Sequence, residues 1–534
     1  MNETDVIIIG AGHNGLTCAA YLASSGLRVK VVERRKVLGG AAVTEEFHPG
    51  FRNSVASYTV SLLNPKVISD LRLTERGLKI VERRAQNFLP SPDGRYLLTG
   101  EGRTLPSLAR LSARDAETFP AFAQKLQAIA DVLRHFVLRA PPNLVEGFGA
   151  DAIREAFHAL SSASILRRLS LEQQRDLLDL FTRSAGEILD EWFESDLVKA
   201  LFGFDAIVGN YASPFAAGSA YVMLHHAFGE VNGKKGVWGH AIGGMGAISQ
   251  AISAAAREHG ADIETGRGVR EVIVEKHRAA GVILDDGETI RARYVASSVN
   301  PKLLYTRLIP PQALPETFLT RIGNWRNASG TFRMNVALDA LPSFTALPGS
   351  GDHLTAGIIL GPSLAYMDRA FQDAREHGWS REPVIELLIP STLDDTLAPQ
   401  RAHVASLFCQ HVAPELPGGK SWDDHRADVA DLMIATVDEY APGFAQSVVG
   451  RQILSPLDLE REFGLLGGDI FHGALTLNQL FSARPMLGYA DYRGPLKGLY
   501  HCGSGAHPGG GVTGAPGHNA AKVILRDHRA LFAT

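Results

Sequence analysis

A chain of 534 residues is longer than one ordinary hydrophobic core organises, so two or more domains are expected. Apolar residues make up 45% and charged residues 21%, the balance of a globular protein that folds in water. A net charge of −4, a pI near 6.6 and the lack of any basic run exclude nucleic acid as the main partner, because phosphate recognition needs a concentrated cationic face.

Cys18, Cys409 and Cys502 lie far apart in sequence with no C-x-x-C pair. That pattern argues against a disulfide framework or dithiol centre and fits a reducing compartment. Met1-Asn2-Glu3-Thr4-Asp5 runs directly into an apolar segment, so no leader peptide is expected and a cytoplasmic location is inferred.

In chain order, Asp5 to Gly10 (DVIIIG) reads as a strand buried on both faces. Ala19, Ala20, Leu22 and Ala23 recur at helical spacing, Gly26 stops that helix, and Leu27 to Glu33 is the next strand. The three pieces make a β-α-β unit with a right-handed crossover. From about Pro65 to Gly229 amphipathic helical patterns dominate, as in Phe119 to Val137, Leu166 to Leu180 and Ala185 to Leu201. Ala206 to Phe228 is weakly charged but broken by Gly209, Pro214 and Gly218, so it reads as a pocket wall, not a membrane span.

Strand–helix alternation returns near Gly243. Met245 to His259 is a helix, Asp262-Ile263-Glu264 and Val269 to Glu275 are strands, and a hairpin turns at Asp285-Asp286-Gly287. A Pro- and Gly-rich mixed region fills Asn300 to Pro485. Tyr500 to Gly503 is a last strand, and a helix runs from about Gly514 to Arg526. These readings give an α/β protein with a discontinuous Rossmann-like dinucleotide domain over 1–65, 230–300 and 486–534. An inserted α+β substrate or cap domain occupies 66–229 and 301–485.

Gly10-Ala11-Gly12-His13-Asn14-Gly15 sits between the first strand and helix. Gly10 permits a tight turn, Gly12 admits a pyrophosphate, and Gly15 lets helix and strand pack closely. The helix N-terminus offers free N–H groups and partial positive charge to phosphates. Glu33 closes the second strand, where a carboxylate accepts hydrogen bonds from ribose hydroxyls. The pair Gly39-Gly40 has no obvious task in a nicotinamide dehydrogenase. In flavoproteins such a pair lets the chain wrap the dinucleotide, which favours FAD over NAD. A second glycine cluster, Gly503 to Gly517, adjoins the last helix and suits a backbone pressed against a flat ligand.

The blocks GAGHNGLTCAAYLA, ERRKVLGGAAVTEE, GVWGHAIGGMGAIS, GGDIFHGALTLNQLFSARP and LYHCGSGAHPGGGVTGAP span nearly the whole chain. On these the sequence resembles the phytoene-desaturase-like branch of FAD-dependent oxidoreductases, and within it the pyridine nucleotide-disulfide oxidoreductase domain-containing protein 2 group. The resemblance implies a glutathione-reductase or amine-oxidase type of FAD domain. It implies FAD phosphate and ribose contacts at Gly10, Gly12, Asn14, Gly15, Glu33, Arg34, Gly39, Gly40 and Ala41. Val269 would meet the adenine, and Gly503, Gly511 and Val512 would lie along the ribityl and isoalloxazine end. Carotenoid desaturases often place arginine after the glycine pair, where this chain has Ala41-Ala42, so their extended isoprenoid substrate does not transfer directly. No second strand-flanked G-x-G-x-x-G appears, and no NAD(P)H domain is expected.

His472 and His507 are the acid–base candidates, because imidazole moves a proton near neutral pH. Each has the alternative of a packed histidine bonded to backbone. Glu45, Glu46 and His48 read as structural, and the adjacent His225-His226 is too poor a ligand set to predict a metal. The expected function is an FAD-dependent dehydrogenase, desaturase or saturase acting on a C–C bond of an apolar or amphipathic small molecule. An unknown acceptor, quinone or oxygen, would take the electrons. Redox-neutral double-bond isomerisation with reduced FAD, and an FAD-stabilised interaction protein, are the alternatives. The helices of Phe119 to Leu201 suit core packing first and contact with a membrane surface second, mitochondrial if the source is eukaryotic. Substrate identity and oligomeric state have no signature in the sequence.

Overall fold

The computed structural model of the chain describes residues 4–143 and 150–531. Its first sheet is built from β1 (Thr4–Ile9), β2 (Val29–Glu33), β3 (Asp262–Thr265), β4 (Val269–Glu275), β5 (Arg278–Leu284), β6 (Thr289–Ser297) and β7 (Leu499–His501). Strands β3, β2, β1, β6 and β7 lie side by side in that order, all parallel. The N-terminal half of β6 instead pairs antiparallel with β5, which pairs with β4, so a meander extends the sheet on one side.

The uninterrupted run Val6-Ile7-Ile8-Ile9 is explained by cover on both faces. Val6 and Ile8 pack with the helices α1 (His13–Ser24), α2 (Gly246–Glu258) and α3 (Ala515–Ala530), whereas Ile7 and Ile9 pack with the meander and residues 304–325. α3 crosses α1 at Gly517, where a Cβ would stand 2.1 Å from the Asn14 carbonyl oxygen. The two ends of the chain therefore close on one another through a contact only glycine permits. Cys18 on α1 and Cys502 after β7 meet there as neighbouring buried free thiols, a proximity their sequence separation conceals.

The region read as mixed, 300–485, holds most of a second seven-stranded sheet. Its strands run Val448–Leu454, Thr331–Leu338, His403–Val412, Trp379–Leu388, Gly357–Leu360, Asn87–Pro90 and Tyr96–Leu98 across the sheet. Every pairing is antiparallel except that between Gly357–Leu360 and Asn87–Pro90. Helix Trp422–Tyr440 covers one face through Trp422, Val429, Met433 and Val437. Leu89, Ile359, Val384 and Phe408 point the other way into a helical layer, which includes Ala113–Val137, Ala185–Trp192, Asp196–Ile207 and Ser219–His226.

Three helical expectations need correction, the first being Ala185 to Leu201, which is two helices, Ala185–Trp192 and Asp196–Ile207. The pattern at Leu166 to Leu180 is not one helix: the first ends at Leu166 and the next begins at Leu171, with Ser170 and Gln173 forming a reciprocal capping box. The pocket-wall segment is partly helical, since Ser219–His226 resumes after the Pro214 turn. No helix among the described residues is long and apolar enough to cross a membrane.

Candidate functional site

A cavity of about 320 Å³ opens where β1, β2 and α1 meet. Gly10, Gly12, Asn14, Glu33, Arg34, Gly40, Ala41, Val269 and His472 line it, drawn together from four distant parts of the chain. Gly15 and Gly39 shape it from behind. A Cβ on Gly15 would lie 2.2 Å from the Gly10 carbonyl oxygen, and one on Gly39, at φ +121°, 2.3 Å from that of Ala42. Gly12 differs: the nearest atom to its Cβ position is 4.0 Å away, because that position faces open space. Gly12 also caps α1 without any side-chain hydrogen bond, leaving first-turn N–H groups available.

Glu33 is held rigidly at the end of β2. The Ala11 N–H donates to its Oε2 at 2.8 Å and the Arg35 N–H to its Oε1 at 2.9 Å. Each oxygen keeps acceptor capacity toward the cavity. Arg34 reaches across to donate to the carbonyls of Arg461 and Glu462, tying the glycine segment to the end of helix Pro456–Phe463. Arg35 pairs with Glu45 at 2.9 Å and lies over the Phe463 ring, contacts in keeping with a structural part for Glu45.

Part of the lining is polar and unsatisfied. His13 Nε2, Asn14 Oδ1 and His472 Nδ1 are buried without a hydrogen-bond partner. Burial pushes the His13 imidazole down to about 3, helped by His472. His472 falls to about 4 through burial and the nearby Arg484 guanidinium. Both rings are neutral near pH 7. His472 sits at φ +57°, a backbone conformation that side-chain-bearing residues avoid. Asp469 enforces it: its carboxylate accepts from the N–H groups of Phe471 and Gly473 and from Ser329 and Asn327.

The remaining expected residues lie off this cavity. Gly503 serves close packing, since a Cβ there would stand 2.2 Å from the Ser298 carbonyl oxygen. Gly511, at φ +111°, abuts Leu62, and Val512 sits at φ +58° beside it. His507 does not line the cavity. Its Nε2 bonds to the Phe136 carbonyl at 2.9 Å, its own carbonyl accepts from the Tyr492 hydroxyl, and its ring meets Phe481 edge-on. This matches the packed-loop alternative, with Nε2 engaged by the backbone and the residue off the cavity lining. His13, Ser298, Ser504 and Phe463 line the site without having been singled out from sequence. Of these, His13 and Ser504 lie inside the two glycine motifs and had a local signal.

A dinucleotide fits this donor set: a fixed carboxylate, an uncapped helix start, open space over Gly12, and orphaned polar atoms on the lining. A family model described as flavin containing amine oxidoreductase matches residues 15–334. The rat pyridine nucleotide-disulfide oxidoreductase domain-containing protein 2 is 43% identical over 98% of this chain and 94% of its own length. A limonene dehydrogenase polypeptide of Castellaniella defragrans is 27% identical over 99% and 95%. A solved oxidoreductase from Methanosarcina mazei superposes with a TM-score of 0.58 at 18% identity, covering 98% of this chain and all of the other, a likeness of fold. The chain belongs to the flavin containing amine oxidoreductase family, an FAD-dependent oxidoreductase enzyme with a small-molecule substrate and a redox acceptor.

Proposed function

We propose that the protein is a dehydrogenase that desaturates a C–C bond of an apolar or amphipathic molecule. The observation that carries this reading is His472, a neutral imidazole on the cradle wall whose Nδ1 has no protein partner. Desaturation removes a hydride from one carbon and a proton from its neighbour, leaving the double bond between them. When bound, FAD supplies the two-electron acceptor. The chain supplies the rest. Glu33 and the Gly10–Gly15 turn hold ribose and diphosphate, the loop set by Asp469 fixes His472, and Nδ1 takes the proton. Negative charge arriving beside the ring raises its proton affinity from the low value that burial imposes. The name of the limonene dehydrogenase relative is consistent with such chemistry. Quinone or oxygen would then reoxidise the cofactor.

Anaerobic mixing of FAD-loaded protein with a substrate tests this. Bleaching of the flavin band is expected, slowed about a hundredfold in His472→Ala with FAD content unchanged. Turnover without bleaching would replace the reading with isomerisation, and unchanged bleaching in the variant would remove His472 from the chemistry.

A membrane-surface contact belongs to the same proposal. Helix Ala150–Leu166 leaves Ile153, Phe157 and Leu160 on one face, each more than half exposed, as are Leu171 and Leu178 on the next helix. Arg167 and Arg168 are exposed between the two helices. An apolar stripe beside cations suits an anionic bilayer. Flotation with vesicles containing phosphatidylglycerol is the expected result, lost in the Phe157→Ser, Leu160→Ser double variant. Wild-type protein that stays at the bottom of the gradient contradicts it.

A further inference from the structure

A second, larger cavity of about 880 Å³ lies between the edge of the seven-stranded sheet and the helical layer. One wall is apolar, from Phe119, Leu126, Leu201, Phe202 and Met223. The Asp205 carboxyl points into it from helix Asp196–Ile207, and no described residue hydrogen-bonds to that carboxyl. A carboxyl so placed is costly unless it stays protonated or meets a ligand. Burial and the neighbouring Glu386 push Asp205 up to about 8, so near pH 7 it is a donor, not an anion.

Behind the cavity wall a series of contacts runs from Glu386, the neighbour of Asp205, toward the cofactor cradle. Glu386 accepts from the Tyr58 hydroxyl at 2.6 Å and stands 4.0 Å from the Arg83 guanidinium, which itself lines the cavity and donates to Thr59 at 2.6 Å. Arg333, fully buried, lies over the Tyr58 ring at 4.5 Å. Tyr58 and Thr59 belong to one short segment. Ser57 is bonded to the Ala41 carbonyl beside the first glycine pair, and Leu62 touches the C-terminal glycine loop at Gly511. The segment thus joins the second cavity to both halves of the dinucleotide cradle.

We propose that this cavity is the substrate channel, and that it takes an apolar chain ending in a hydrogen-bond-accepting oxygen, anchored by the Asp205 carboxyl. The inference rests on the dehydrogenase reading above and adds the substrate's head group. The lining carries Arg83, Arg84, Arg103, Lys234 and Lys235 against Glu82, Glu101 and Asp352, with the buried Arg333 and Glu386 behind it, so an ammonium head is disfavoured although the family takes its name from amines.

Isothermal titration of FAD-loaded protein with 1-octanol, octanoate and octylamine tests the assignment without requiring turnover. The alcohol and the carboxylate are expected to bind, and the amine at least about tenfold more weakly. Asp205→Leu is expected to weaken the oxygen-headed probes by about tenfold or more. Asp205→Asn, whose amide still donates, stays within about threefold of wild type and controls for folding. Octylamine binding as tightly as octanol, or unchanged affinities in Asp205→Leu, overturns the proposal. Probe binding with the expected pattern, but with no flavin bleaching by any oxygen-headed substrate, upholds the channel and sinks the dehydrogenase reading alone.

Discussion

Gly12→Val is expected to yield folded protein that no longer retains FAD. The new Cβ has no clash to resolve within the protein, because the nearest atom to its position is the Gly39 carbonyl oxygen at 4.0 Å, and the Gly12 backbone lies at φ −66°, which valine adopts freely. Its methyls instead fill the space over the uncapped helix start, where the diphosphate must lie. Affinity for FAD should fall at least about a hundredfold, about 2.7 kcal/mol. Equilibrium dialysis of the variant against FAD, with thermal unfolding of the apoprotein as control, gives the result directly. Gly15→Ala is the informative contrast. Its Cβ would stand 2.2 Å from the Gly10 carbonyl oxygen, so helix and strand must separate and the fold itself is weakened. Retained FAD in Gly12→Val would mean that the cradle is misassigned.

Arg484→Met is expected to destabilise the protein by about 3–5 kcal/mol, the cost typical of breaking a buried, fully bonded charge. The guanidinium is completely buried. Its nitrogens donate to the carbonyls of Phe471, Ser504, Gln479 and Gly473 at 2.8 to 3.3 Å, and it lies over the Trp325 ring at 5.4 Å. Burial lowers its proton affinity to about 10, which leaves it charged at neutral pH beside Asp469. Methionine restores most of the volume and none of the donors, so four carbonyls lose their donors together and Asp469 loses a neighbouring positive charge. Urea unfolding of both proteins measures the loss. A change below about 1 kcal/mol would show that these loops find other partners. Arg484 matters to function because the loops it joins carry His472 on one side and the C-terminal glycine segment on the other.

The parts legible in the sequence were those with local signals. DVIIIG, the glycine turn and Glu33 announced a strand, a helix start and a strand-end carboxylate within 33 residues, and in the structure all three border one cavity. The seven-stranded sheet was not legible as such. Thr331–Leu338 is buried at every position, so its sequence shows no alternation, and Arg333 and Asn335 inside it look like surface residues until their partners are seen. Long-range pairs were hidden for the same reason: Tyr58 with Glu386, Cys18 with Cys502, Asp205 with its cavity. His507 shows the converse. It stands in a glycine-rich flavin motif, yet the Phe136 carbonyl that occupies its ring nitrogen comes from a helix no motif connects to it.

Whether glycine segments from both ends of the chain hold one FAD is tested most directly by a crystal structure of the FAD-loaded protein. The adenosine ribose is expected at Glu33 and the diphosphate at the N-terminus of α1, over Gly12. The isoalloxazine ring is expected against Gly511 and Val512, with Tyr58 on its substrate side. A dinucleotide bound elsewhere, or one whose ring points away from the Gly511 loop, would contradict a shared cradle.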